Sequence, residues 1–375
     1  MITHLIKLRQ EIAKNKLDAA LISSVSNIIY LTKYSGFSKE EREAYLFITQ
    51  NQQYILTDGR YAHAIKTLIP NFKLIEISST NSAEDILKKL KTKHKIKRLG
   101  VEENNLTHKE YKELSACFND LPAGKAGLNH FSLNNFRAIK NGKEISAVEK
   151  ACKLGDKTFA YILKKIKLGV SEKGVANEIE FFIKKHGADI SFRPIVAFGK
   201  NSAIPHHVST HNSKLLTHNS IILLDFGVKL NNYCSDMTRT VFFGKPSPEQ
   251  KRMYKTVLQA QKLAIESLTS DGGRLSLRSH DSSEVDRIAR DYIISKGYST
   301  IPHSLGHGIG IDVHESPHLS PNSKDILKEG MVFSIEPGIY SPNFGGVRIE
   351  DLVVLEKNNV RLLTHSPKGP LDILS

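Results

Sequence analysis

Four carboxylates and one histidine occupy positions in this sequence from which they could bind buried metal ions. They are Asp225, Asp236, His307, Glu336 and Glu350. The acids form two pairs, and each pair belongs to one predicted β-hairpin. Four buried acids without cations would repel one another strongly. Carboxylate oxygens with one imidazole suit hard or borderline divalent cations, so the pattern predicts a site for two such ions.

Two predicted hairpins position these acids. In the first, the apolar run 221–224 ends at Asp225, and Asn231 and Asn232 supply turn residues that tolerate positive φ. The second repeats this design, with a strand that ends at Glu336, a turn at 341–346 and a returning strand over 347–355. Between the hairpins, the glycine-rich segment 303–315 carries His307, and its glycines would let the backbone approach a bound group closely.

Five motifs in this region resemble those of the pita-bread metallopeptidases, and within them the Xaa-Pro aminopeptidase (aminopeptidase P) and prolidase group. They lie in the family's order at 223–227, 233–240, 303–315, 334–338 and 347–351. The resemblance is close over residues 137–375 and looser over the N-terminal third. It implies a two-domain α/β protein, with a creatinase/prolidase-like α/β domain at 1–136 and a pseudo-symmetric α+β pita-bread catalytic domain at 137–375.

The resemblance also implies a role for each candidate site residue. Asp225 binds one ion, His307 and Glu336 bind the other, and Asp236 and Glu350 bridge both. A water activated by two ions then attacks the peptide bond, and Glu336 transfers its proton. Further implied site residues are His206 and His314, in catalysis and substrate binding, and His303 and Arg348, in substrate binding; Arg348 would also hold a nearby acid. Oxygen-rich ligation favours Mn²⁺ and leaves Co²⁺, Fe²⁺ and Zn²⁺ open.

The implied activity is removal of an N-terminal residue that precedes proline. A prolidase, which is restricted to Xaa-Pro dipeptides, is the nearest alternative. A methionine aminopeptidase would not need about 136 additional N-terminal residues, and creatinase-like relatives lack the metal ligands. A non-catalytic pita-bread binding module is a further alternative, and only the net charge of +14 favours it.

Composition limits the other function classes. A chain of 375 residues exceeds the usual single domain, and it has no apolar run near the ~20 residues of a membrane span. Three cysteines without a paired motif fit a reducing cytoplasm. The densest basic cluster, 89–98, has no accompanying nucleic-acid-binding motif, so we expect a solvated lysine-rich surface and no nucleic-acid or membrane partner. The expected partners are peptide substrates with proline at the second position and a second copy of the chain in a homodimer.

Two turn-rich segments look like insertions into surface connections. They lie at 121–130 and 269–282, and the second is longer than the short turn usual at this point in the family. The rest of the catalytic region is predicted to repeat the order helix, helix, hairpin twice.

Overall fold

The computed structural model describes residues 2–118, 127–210, 214–269, 281–357, 359–368 and 372–373. The chain divides into two compact units, Met1–Leu133 and Asn134–Ser375. The boundary proposed from the sequence, between residues 136 and 137, falls within the first helix of the second unit. Most of both predicted insertions, residues 121–126 and 270–280, lies outside the described residues.

The first unit is an α/β domain built on one mixed sheet, as the alternation of strands and helices predicts. Its helices are α1 (Ile2–Lys14), α2 (Val25–Thr32), α3 (Gly59–Leu68), α4 (Ala83–His94) and α5 (His108–Phe118). Its strands are β1 (Ala19–Ile22), β2 (Ala44–Thr49), β3 (Gln53–Asp58), β4 (Lys73–Ile77), β5 (Arg98–Val101) and β6 (Gly127–His130). The strand order is β4-β3-β2-β1-β5-β6, in which β1 pairs antiparallel with β2 and parallel with β5.

Part of the first predicted insertion is a strand of this sheet. Gly127–His130 pairs in parallel with Arg98–Val101 and forms the sheet edge as β6. The loop prediction was therefore wrong for these four residues, because pairing with a buried neighbour overrides the weak strand preference of Gly and Asn.

The second unit contains the predicted hairpins and the helices that pack on them. Its helices are α6 (Asn134–Ala138), α7 (Gly142–Leu163), α8 (Glu172–Lys185), α9 (Pro248–Glu266) and α10 (Ser282–Ser295). Its strands up to the second hairpin are β7 (Asp189–Ile190), β8 (Ile195–Phe198), β9 (Ser220–Phe226), β10 (Val228–Leu230), β11 (Tyr233–Cys234), β12 (Met237–Phe243), β13 (Gly306–Gly308) and β14 (Glu315–Leu319). The remaining strands are β15 (Val332–Ile335), β16 (Gly338–Ser341), β17 (Gly345–Arg348), β18 (Asp351–Glu356), β19 (Asn359–Leu362) and β20 (Asp372–Ile373).

The second unit has the predicted two-fold repeat. Helices α7 and α8 precede the β9/β12 hairpin, and α9 and α10 precede the β15/β18 hairpin. The residue before α8, Ser171, forms a bridge with Leu215, and the residue before α10, Asp281, forms a bridge with Ile326. One apolar core cluster lies in the first half and a second is built mainly from the second half, with Ile221 and Phe242 of the first hairpin included. The repeat is therefore one of architecture and of burial pattern, with little identity of residues.

The two hairpins fold as their turn residues predict. Asn231 and Asn232 have φ values of 49° and 71°, the left-handed conformation that a tight hairpin turn requires. Asp225 lies opposite Thr238 in the first hairpin, and Ile335 lies opposite Asp351 in the second. The acids therefore lie near the ends of paired strands. Across the described ranges, every helix is too short or too polar to span a lipid bilayer.

Candidate metal centre and active site

All five predicted metal ligands line one cavity of about 610 Å³ in the second unit. Asp225 is the second-last residue of β9, and Asp236 directly precedes β12. Glu336 directly follows β15, and Glu350 directly precedes β18. His307 is the central residue of β13. The strand ends of both halves thus converge on the same space.

The glycines beside His307 serve the sheet. A Cβ atom on Gly306 would lie 2.0 Å from the carbonyl oxygen of Ser334, and one on Gly308 would lie 2.1 Å from that of Ser316. No side chain fits at these distances, so only glycine lets β13 lie between its two neighbours. Gly306 also lines the cavity, so the prediction that glycine lets the backbone approach a bound group stays a prediction for this residue.

The polar atoms of this cluster are close enough to share cations. One ligand atom each from Asp236, His307 and Glu350 lies within 4.8 Å of the other two. The Nε2 atom of His307 is 3.3 Å from Oε1 of Glu336 and 3.7 Å from Oδ2 of Asp236. The Oδ2 atom of Asp225 accepts a 2.5 Å hydrogen bond from Nη2 of Arg348, which confirms that this arginine contacts an acid of the site.

Three buried carboxylate oxygens of this cluster are available to bind a cation. The Oδ1 atoms of Asp225 and Asp236 and the Oε1 atom of Glu350 are buried without a hydrogen-bond partner among the described residues. Buried polar atoms are rarely left unpaired, so these oxygens need an ion or water. Two arginines, Arg193 and Arg348, line the cavity together with the four carboxylates, so the carboxylates outnumber the guanidinium groups and divalent cations can balance the excess negative charge. The donor set therefore fits a divalent-metal site.

Protonation in the absence of cations supports the same conclusion. Burial, followed by the charge of Glu350, raises the pKa of Asp236 well above its usual range. Burial, followed by the charge of Glu336, does the same to the pKa of Glu350. Burial lowers the pKa of His307, but the hydrogen bond with Glu336 and the charges of Glu336 and Glu350 together outweigh burial and raise that pKa to about 9. Cation binding through His307 must therefore displace a proton.

The remaining predicted site residues also line this cavity: His206, His303, His314 and Arg348. The ring of His314 packs edge-on against that of His307, with centroids 4.3 Å apart. Burial is the main cause that lowers the pKa values of His303 and His314, so both rings are neutral near pH 7 and each nitrogen can donate or accept according to its tautomer.

Comparison with known proteins identifies the family. The profile of metallopeptidase family M24 matches residues 146–357, more than half of the chain. The chain belongs to metallopeptidase family M24. The creatinase/prolidase N-terminal domain profile matches residues 5–126 of this M24 protein. The two-domain pita-bread fold expected from the motifs is thereby confirmed.

Similarity to known relatives extends over almost the whole of this M24 protein. An uncharacterized peptidase of Bacillus subtilis, YqhT, is 38% identical over 369 residues, covering 96% of this chain and 98% of its own. The Xaa-Pro dipeptidase from Bacillus anthracis has a TM-score of 0.88 at 31% identity, with 100% of this chain and 99% of its own covered. The X-Pro aminopeptidase from Thermotoga maritima has a TM-score of 0.85 at 30% identity, with 99% of both chains covered.

One contact in the site was missed by the sequence analysis. The hydroxyl of Tyr340 accepts a 2.8 Å hydrogen bond from Nη1 of Arg348 and lies 2.8 Å from Nε2 of His303. Burial raises the pKa of Tyr340 to about 12, so the hydroxyl stays protonated. It links a predicted substrate-binding histidine to the arginine that holds Asp225. The only signal in the sequence was the position of Tyr340, four residues after Glu336 in the second hairpin.

Proposed function

We propose that this M24 metallopeptidase removes the N-terminal residue from peptides whose second residue is proline. The observation that carries the proposal is the set of unpartnered carboxylate oxygens on Asp225, Asp236 and Glu350, which face a cavity large enough for a short peptide. Two divalent ions at this site would lower the pKa of a water molecule toward neutrality and polarise the scissile carbonyl.

The protein's own residues divide the remaining work. In this proposal Asp225, Asp236, His307, Glu336 and Glu350 hold the two ions. Glu336 also accepts the proton of the attacking water and passes it to the leaving nitrogen. To accept that proton, the carboxylate of Glu336 must be ionised at neutral pH. Without cations, burial opposes that state, but the hydrogen bond and charge of His307 lower the pKa of Glu336 to about 2. Bound cations would replace the charge of His307, since this histidine gives up its proton when it binds a cation.

The other polar groups of the cavity are proposed to orient the substrate. His206 and His314 are proposed to contact the peptide beside the scissile bond and to stabilise the tetrahedral intermediate. His303 is held by Tyr340 and is proposed to contact the substrate. Arg348 keeps Asp225 in place through its 2.5 Å hydrogen bond. Each of these four side chains already lines the cavity, which supports the assignment.

The proline preference is supported by two observations. Proline has no amide N–H and a fixed φ, so its recognition depends on an apolar surface that fits the ring. Part of the cavity wall is apolar, formed by Phe192, Pro194, Ile195, Val208 and Val313. The solved structures similar to this chain over nearly its full length include Xaa-Pro peptidases at 30% identity or more.

The proposal is tested with metal-stripped protein and three peptides: Ala-Pro, Ala-Pro-Ala and Ala-Ala-Ala. We expect no hydrolysis before metal is added, and cleavage of Ala-Pro-Ala after addition of Mn²⁺, the ion that oxygen-rich ligation favours. Ala-Ala-Ala controls for proline, since it has the same length and termini. Cleavage of Ala-Pro alone would make the protein a prolidase, and equal cleavage of Ala-Ala-Ala would contradict the proline preference.

A further inference from the structure

Four charged side chains, three of them buried, form a cluster at the loop that carries His314. The Nη2 atom of Arg137 donates to Oδ2 of Asp312 at 2.5 Å and also to Oε2 of Glu315. The Nζ atom of Lys140 lies 2.9 Å from Oε1 of Glu315. The side chains of Arg137, Lys140 and Glu315 are only 6%, 2% and 7% exposed. We call Arg137, Lys140, Asp312 and Glu315 the linker cluster, because both cations lie in the segment that opens the second unit.

The carboxylates of the linker cluster bracket two residues of the substrate cavity. Asp312 and Glu315 are the neighbours in sequence of Val313 and His314, both of which line the cavity. Among the described residues, none of the four cluster side chains lines that cavity. The cluster can therefore influence substrate only through the loop.

Both backbone hydrogen bonds and side chains hold this loop. Residues 309–314 connect β13 to β14 without regular secondary structure. A Cβ atom on Gly310 would lie 2.4 Å from Oε1 of Glu315, so the cluster packs directly against the loop backbone. The carbonyl oxygen of Gly310 also accepts a 2.7 Å hydrogen bond from the amide of Cys234 in the first hairpin. The loop is thus fixed on one side by the hairpin and on the other by the linker cluster.

Buried ion pairs contribute little net stability, because desolvation offsets their attraction, but removal of one partner is costly. Two cations and two anions also make the linker cluster neutral overall. Its consequence is therefore expected in the geometry of the 312–315 turn, which both of its carboxylates flank.

We propose that Arg137 and Lys140 are positioning residues for peptide hydrolysis. They act through Asp312 and Glu315, which orient the turn so that the ring of His314 faces the substrate. This inference rests on the proposed function to the extent that His314 acts on the peptide.

The test is a double-mutant cycle between Arg137→Met and His314→Ala. We expect Arg137→Met alone to lower kcat/KM by roughly 10- to 100-fold, as a displaced catalytic group does, with bound metal unchanged. In the His314→Ala background the same substitution should cost less than about 2-fold, since residues that act through one another are not additive. Losses that multiply would overturn the proposal, as would wild-type kcat/KM in Arg137→Met.

Two further variants keep the test decisive. Arg361→Met is the matched control, because Arg361 also contacts two carboxylates, Glu149 at 2.5 Å and Glu356 at 2.6 Å, away from the cavity. It should leave kcat/KM unchanged. If Arg137→Met does not fold, Asp312→Asn replaces it in the cycle, since the Asp312 side chain is 28% exposed and its loss perturbs the core less.

A second measurement does not depend on turnover. In histidine side-chain NMR spectra of the metal-free protein, the His314 signal is identified by its loss in His314→Ala. Arg137→Met should shift or broaden that signal and leave in place the signal of His218, whose ring lies beside Phe243 and does not line the cavity. An unchanged His314 signal would overturn the positioning role, whether or not the wild type cleaves any of the three peptides. Failure of the wild type to cleave any of the three peptides would count against the proposed function alone.

Discussion

Glu336→Gln will lower kcat for peptide hydrolysis by about 10³-fold or more, and the protein will remain folded. Glutamine keeps the shape of the side chain and can accept the 3.0 Å hydrogen bond that Ser334 donates to Glu336. It cannot take up a proton from water, and it removes one negative charge from the cation site. The measurement is steady-state hydrolysis of the peptide that the wild type cleaves, with saturating metal.

The control for this variant is Glu329→Gln, which makes the same chemical change at an exposed position in the second unit. It should have wild-type kcat. Near-normal turnover in Glu336→Gln would remove Glu336 from the mechanism. Equal losses in both variants would point to a general effect on the fold.

Asp236→Asn will abolish metal binding and activity, yet the metal-free variant will be more stable than the metal-free wild type. Asp236 is buried beside three other carboxylates, and without cations its ionised form is opposed by burial and by Glu350. Asparagine removes that charge in the same volume. Each kcal/mol of repulsion relieved should raise Tm by about 2–4 °C in a unit of this size.

The pH dependence of this difference follows from the direction of the pKa shift. The pKa of Asp236 is raised above its ordinary value of 3.8 in the folded protein. Its destabilising effect is therefore absent below pH 3.8 and grows as pH rises toward the raised value. Thermal unfolding of both metal-free proteins at several pH values checks this, with Asp291→Asn as the exposed control. A variant less stable than wild type at pH 7 would contradict the account.

The candidate ligands that line one cavity could be selected from the sequence because each has a distinct local setting. Asp225 and Glu336 follow short apolar strands, and His307 lies among glycines. Such patterns are visible along the chain, and the second hairpin repeats those of the first. The contact of Tyr340 with Arg348 was less accessible, because it depends on the pairing of β16 with β17.

Other parts of the fold could not be predicted from the sequence, and the reasons are physical. All eight residues of α2 are buried, including the polar residues Ser26, Asn27 and Thr32, so no solvent-exposed polar face marks this helix. The sequence Gly-Leu-Asn-His of β6 favours a turn, and only its pairing with β5 makes it a strand. Arg137 and Lys140 have the composition of a surface linker, and only the folded chain places them in a buried cluster with Asp312 and Glu315.

Anomalous diffraction from a crystal of this M24 protein grown with Mn²⁺ would show whether five of its side chains hold two divalent ions. We expect two anomalous peaks about 3.5–4 Å apart, the usual spacing in two-metal sites, bounded by Asp225, Asp236, His307, Glu336 and Glu350. A single peak, or peaks away from these residues, would rule out a two-ion site at these side chains.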